Sequence, residues 1–312
     1  MRGSFRGWAV VVQWAALTMC SACWEDPQLG GAGALGFTEF VPLELPPPDV
    51  RGSYEVTTEE NVGAGFENTP SSSEQAVELA CDQLGGTDAT GPVVDESLYT
   101  LFRPTHFQSG VRYPVVAWDG ARCGVPATYG ALLSHIVSHG FIVIAPNARW
   151  NGSGVPPRRG IDWVLRQNGN PESSLYGRVN VTQIAVLGHT QAGGAAAAAV
   201  GGDVRVDTTV LINGGSPKDL RGPVLIMTAE HDPWSQSGLL AFTETSVPAA
   251  FIDLRSTDAQ AVLTETRRVA GPVTAWLRYQ LWGDATGRSW FIGSNCGLCG
   301  RAEVYLRSKG LP

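Results

Sequence analysis

The chain has 312 residues, 43% of them hydrophobic and only 16% charged, with 38 glycines and 20 prolines, which describes a globular protein large enough for one substantial core. Its formal charge of -7 and the lack of any Lys/Arg-rich run argue against nucleic acid as a partner.

Arg2 and Arg6 precede an apolar run from Trp8 to Met19, followed by Cys20-Ser-Ala-Cys23. A charged start, a short apolar core and small residues at the cut have the layout of a secretory signal, expected over residues 1–22. The run is too short for a stable membrane span. A cysteine just after such a core resembles a bacterial lipobox. Small Ala22 favours Cys23 as the lipidated residue; Cys20, which has Leu17 at the favoured position but bulky Met19 before it, is the alternative. The expected location is the cell envelope through a lipid anchor, the chain's only means of membrane attachment, or the medium if the signal is an ordinary one. Cleavage before Cys23 leaves Cys81, Cys123, Cys296 and Cys299, an even set of disulfide candidates. Cys296-Gly-Leu-Cys299 lacks the two further ligands that zinc requires. A disulfide is expected there, within the loop or out to Cys81 and Cys123, and no metal or cofactor is.

Residues 23–75 are rich in Gly, Pro, Ser and acidic side chains, including Leu45-Pro-Pro-Pro48, and read as a poorly ordered tether. Over residues 76–312 strands and helices alternate. Strands are expected at Leu98 to Arg103, Tyr113 to Trp118 and Phe141 to Ala145, with a helix from Tyr129 to His139 that buries Leu132, Leu133, Ile136 and Val137. A helix from Gly160 to Gln167 is followed by an apolar strand entering an alanine-rich helix near residue 190. Strands at Thr209 to Ile212, Pro223 to Met227 and Ala250 to Leu254 and a last helix from Pro272 to Trp282 complete the series. The fold class is α/β: a mostly parallel, doubly wound sheet with helices on both faces.

Gly188-His-Thr-Gln-Ala192 is a nucleophile-elbow frame, G-x-S-x-G, with Thr190 at the serine position. Threonine keeps the hydroxyl but adds a β-methyl where the backbone is strained. Asp232, at the carboxyl end of the strand from Pro223, stands where an acid would orient an imidazole; capping of the following helix is its bland alternative. The backbone N–H groups of Gly120 and Ala121, with that of Gln191 at a helix start, are the expected oxyanion donors, or Asp119-Gly120 is simply a turn. The five histidines lie at 106, 135, 139, 189 and 231, none after the last core strand. His231 is the remaining candidate base, and His189 is expected to pack structurally.

Tyr113-Pro-Val-Val-Ala-Trp-Asp-Gly120, Ser138-His-Gly-Phe-Ile-Val-Ile-Ala-Pro-Asn147, Gly188-His-Thr-Gln-Ala-Gly-Gly194 and Ala229-Glu-His-Asp232 together resemble the exported bacterial cutinase-like and polyester-hydrolase branch of the α/β hydrolases, near dienelactone hydrolases and chlorophyllases. The resemblance covers roughly Leu98 to Gly283, and the tail Ser294-Asn-Cys-Gly-Leu-Cys299 is similar too. It implies an α/β-hydrolase fold and carboxyl-ester chemistry, with Thr190 matching the nucleophile, Gln191 an oxyanion donor and Asp232 the acid. The family histidine falls within Arg255 to Gln260, where Asp258, Ala259 and Gln260 stand instead. The expectation is a pseudoenzyme or weak esterase that keeps a pocket for a small ester-like or acyl ligand. The alternatives are an active ester hydrolase using Thr190 with His231, and a non-catalytic cell-surface interaction protein. Oligomeric state is left open.

Overall fold

The computed structural model describes residues 45–65, 95–149 and 152–312. The signal over 1–22, Cys20, Cys23, Cys81 and most of the 23–75 tether lie outside the described residues. In chain order the elements are β1 (Val56–Val62), β2 (Tyr99–Pro104), β3 (Tyr113–Asp119), α1 (Gly130–Ser138), β4 (Ile142–Pro146), α2 (Val155–Asn168), β5 (Val179–His189), α3 (Thr190–Gly201), β6 (Thr208–Ile212), β7 (Val224–Ala229), α4 (Ser235–Glu244), β8 (Ala249–Leu254), α5 (Ala261–Thr264), α6 (Thr266–Trp282), α7 (Ala285–Ser289) and β9 (Val304–Lys309). A 3-10 turn at Pro126–Tyr129 leads into α1.

The strands form one sheet in the order β1-β2-β4-β3-β5-β6-β7-β8-β9. The six from β4 to β8 in that order pair in parallel, while β1, β2 and β9 run antiparallel to their neighbours. Parallel strands buried on both faces require near-continuous apolar runs, and β4, β6, β7 and β8 are buried at every position. Alternation along β3 sends Val116 and Trp118 to one core, with Leu133 and Ile136 of α1 and Trp276 and Leu277 of α6. Val115 and Ala117 go to the other, with Ile161 and Val164 of α2, Val200 of α3 and Phe242 of α4.

Residues 45–65 differ from the loose lead-in that their composition suggests. Arg278 donates to the Pro46 carbonyl at 2.6 Å, His135 Nε2 to that of Pro48 at 2.7 Å and His139 Nε2 to that of Val50 at 2.8 Å. Gly52 N–H donates to Ser138 Oγ, and the chain then enters β1. A proline-rich stretch cannot form its own helix, but its free carbonyls are acceptors for side chains of α1 and α6. Burial lowers the pKa of both histidines, that of His139 to about 3, so both rings hold the strap in their neutral form. Among the described residues no helix is long and apolar enough to cross a membrane.

Candidate functional site

Parallel strands all end on the same edge of a sheet, and that edge is where ligand sites gather in open α/β folds. Here His189 pairs across β6 to Ile212, Ile212 to Met227 of β7 and Met227 to Ile252 of β8. The loops that follow these strands carry Thr190, Asp232 and residues 255–260, so all three segments open on one edge. On the other side of β5, Asp119 at the end of β3 is level with Gly188. Gly120 and Ala121 therefore emerge beside the same turn.

Thr190 sits on that turn with φ of 61°, a left-handed conformation that a β-branched residue rarely adopts. Tertiary packing imposes it. A Cβ on Gly188 would overlap the Gly193 carbonyl, and one on Gly193 would meet the carbonyls of Asp119 and Gly120. Gly214, just past β6, lies so close to Thr190 and Gln191 that a Cβ there would strike their main chain. Small residues are thus required at 188, 193 and 214, where backbone meets backbone. Thr190 is half-buried, and its hydroxyl makes no hydrogen bond among the described residues.

His189, buried and one residue earlier, has both ring nitrogens engaged. Its Nε2 lies 3.2 Å from the Ala259 carbonyl, which can only accept, so the proton sits on Nε2. Nδ1 then accepts from Tyr129 Oη at 3.0 Å, and Tyr129 Oη accepts in turn from Ala121 N–H at 2.9 Å. Burial drives the His189 pKa down to about 4 and that of Tyr129 up to about 12, so both stay neutral and hold this tautomer. The structural role expected of His189 takes the form of this chain. Of the three expected oxyanion donors, Ala121 has its N–H committed to Tyr129, because the phenol fills the space behind the β3 turn. Gln191 N–H lies in the first turn of α3, where no intrahelical acceptor exists for it.

Asp232 is 5% exposed. Its Oδ1 accepts from Trp234 N–H at 2.9 Å, while Oδ2 is buried without a hydrogen-bond partner. The first of these is a local turn contact two residues on, and α4, whose N-cap is Trp234, has no side-chain cap. The second leaves half of a carboxylate unsatisfied, and burial raises the pKa, with Asp258 and Asp253 adding repulsion. Asp258 belongs to the 255–260 loop, which the main chain ties to the acid's own turn: His231 N–H donates to the Thr257 carbonyl and Ser256 N–H to Glu230 Oε2. His231 itself is exposed, and its ring makes no hydrogen bond to Asp232 or Thr190. The loop thus reaches Asp232 at one end and His189 at the other, carrying an aspartate, an alanine and a glutamine.

Cys296 and Cys299 form a disulfide with each other. Cys123 is also disulfide-bonded, and Cys81 lies outside the described residues. Sequence reasoning missed Tyr129 and Gly214. Asn213-Gly-Gly215 after an apolar strand is a signal of close backbone approach; nothing in the sequence marks Tyr129 as the partner of a residue 60 positions away. The site and sheet define an α/β-class protein with a strained strand-to-helix turn and a buried acid on the same edge of the sheet. The chain matches no protein-family model and no curated protein.

Proposed function

We propose that this is an α/β-hydrolase-fold protein descended from the exported cutinase-like and polyester-hydrolase branch, whose edge site has kept its frame and lost its general base. The reading rests above all on Asp232: a buried carboxylate oxygen with no partner, beside a loop that carries Asp258, Ala259 and Gln260 and no histidine. A hydroxyl nucleophile needs an adjacent base, and the Thr190 hydroxyl has none within hydrogen-bonding reach among the described residues. Loss of a triad member leaves only roughly 10³ to 10⁴ over water. The site then serves to hold an ester-like or acyl ligand instead of turning it over.

Hydrolysis of p-nitrophenyl butyrate tests this directly. The native protein is expected to show no turnover above a Thr190→Ala control, and the double variant Thr190→Ser, Ala259→His to gain turnover that Asp232→Asn abolishes. Native turnover lost in Thr190→Ala and in His231→Gln would replace this reading with the active enzyme using His231.

A further inference from the structure

A cavity of about 350 Å³ that Thr190, Asp232 and His189 do not line lies between the strap at Asp49 and Val50, the first half of α6 and the turn closed by the Cys296–Cys299 disulfide. Its size falls in the range of small-molecule sites. We propose that it binds a small organic carboxylate with an apolar or aromatic body.

The lining divides into two kinds of surface. Leu254, Pro272, Leu298, Val304 and Trp290 supply an apolar wall, held firmly because Leu254 ends β8 and Val304 opens β9 beside it. Around that wall stand Arg267, Arg268 and Arg301 against Asp49 and Glu303, a lining with an excess of positive charge.

The three guanidinium groups are not equivalent. Arg268 is consumed by Glu265 at 2.7 Å and by the carbonyls of Arg255 and Glu303. Arg301 is fixed by its stem: Nε donates to the Gly297 carbonyl at 2.6 Å and the guanidinium carbon lies 5.1 Å from the Trp290 ring centre. Its two terminal nitrogens make no hydrogen bond among the described residues. Arg267 makes no hydrogen bond or ion pair at all among them. Asp49 and Glu303 line the same cavity yet lie beyond ion-pair distance of either, so the fold places neutralising carboxylates nearby without letting them occupy the donors. A guanidinium edge held still by stacking and by one hydrogen bond presents paired N–H donors at little entropic cost, which suits the two oxygens of a carboxylate. The apolar wall sets what the carboxylate carries: a phenyl or branched alkyl group that gains by leaving water.

The test is calorimetric titration of the full chain with phenylacetate, with the neutral isostere phenylacetamide run alongside. Saturable binding of phenylacetate and none of the amide is expected. Arg301→Gln and Arg267→Gln are each expected to weaken binding roughly tenfold or more, the loss that one charge-assisted contact carries. Arg267 is exposed and bonds to nothing described, so Arg267→Gln keeps the fold even if loss of the Arg301 stack disturbs the turn. Thr190→Ala is expected to leave binding unchanged. Equal binding of the amide, no saturation with phenylacetate, indifference to Arg267→Gln, or loss of binding in Thr190→Ala each overturns the proposal; the last would place the ligand at the strand-to-helix turn.

Discussion

His189 Nε2 and the Ala259 carbonyl oxygen stand 3.2 Å apart, joining the turn after β5 to the loop after β8 across 70 residues of sequence. The contact fixes the β8 loop against the site by main chain, so a side chain introduced at 259 starts beside Thr190's neighbour. It also makes His189 the lock of the arrangement, and the ring's tautomer depends on Tyr129 behind it.

Tyr129→Phe is therefore expected to destabilise the fold by about 2 to 4 kcal/mol. It orphans the half-buried Ala121 N–H and removes the donor to the buried His189 Nδ1, at about 1–3 kcal/mol for a fully buried group left unpaired and less for the half-buried one. Denaturant unfolding measures the loss, and a Tyr129→Leu variant of equal or greater stability would show that the hydrogen bonds contribute nothing.

Thr190→Gly is expected to raise stability by about 1 kcal/mol, because a β-branched residue at φ of 61° carries conformational strain that glycine does not. Thermal unfolding checks it. Gly193→Ala goes the other way by more than about 3 kcal/mol, since the new methyl meets the Asp119 and Gly120 carbonyls and neither is a movable side chain.

Asp232→Asn is expected to be stabilising by roughly 0.5 to 1 kcal/mol at neutral pH, as it removes a charge that burial and two neighbouring aspartates disfavour. The gain should fade in acid, where native Asp232 takes up its proton readily. A destabilised Asp232→Asn would mean that an unseen partner satisfies Oδ2.

Acid should weaken the fold through its histidines. His189 titrates at 6.5 when unfolded and at about 4 when folded, and His139 at about 3. Both are neutral in the native state above these values, so their contribution is complete above pH 6.5 and is lost as pH falls, down to about 4 for His189 and about 3 for His139, while only the unfolded chain binds the protons. For His189 the loss is on the order of 3 kcal/mol. Unfolding free energies measured between pH 7 and pH 4 should fall, and by less in Tyr129→Phe, where the packing that excludes water from the ring is loosened.

Much of the sheet is legible from its residues. Phe141 to Ala145 and Pro223 to Met227 are apolar runs flanked by Pro or Gly, too short for a helix and suited to strands buried on both faces. Thr190, Gln191 and Asp232 fall at strand ends because the strands themselves are readable. The edges are less so. β1 reads Val-Thr-Thr-Glu-Glu-Asn-Val, and β9 alternates half-buried with exposed positions, so neither carries an apolar run to betray it. The strap escapes for a related reason: its carbonyls from Pro46 to Val50 accept from Arg278, His135 and His139, and Gly52 N–H donates to Ser138 Oγ, uses of the strap's backbone that composition does not display.

The floor beneath residue 190 is made of Gly188, Gly193 and Gly214, with main chain from the ends of β3 and β6. The close contacts beneath it are main chain against main chain, so none of them depends on the side chain at 190. A change of side chain at 190 removes none of the close backbone approaches among Gly188, Gly193 and Gly214. The turn is thus a bearing shaped by missing side chains, and its geometry does not depend on what residue 190 carries.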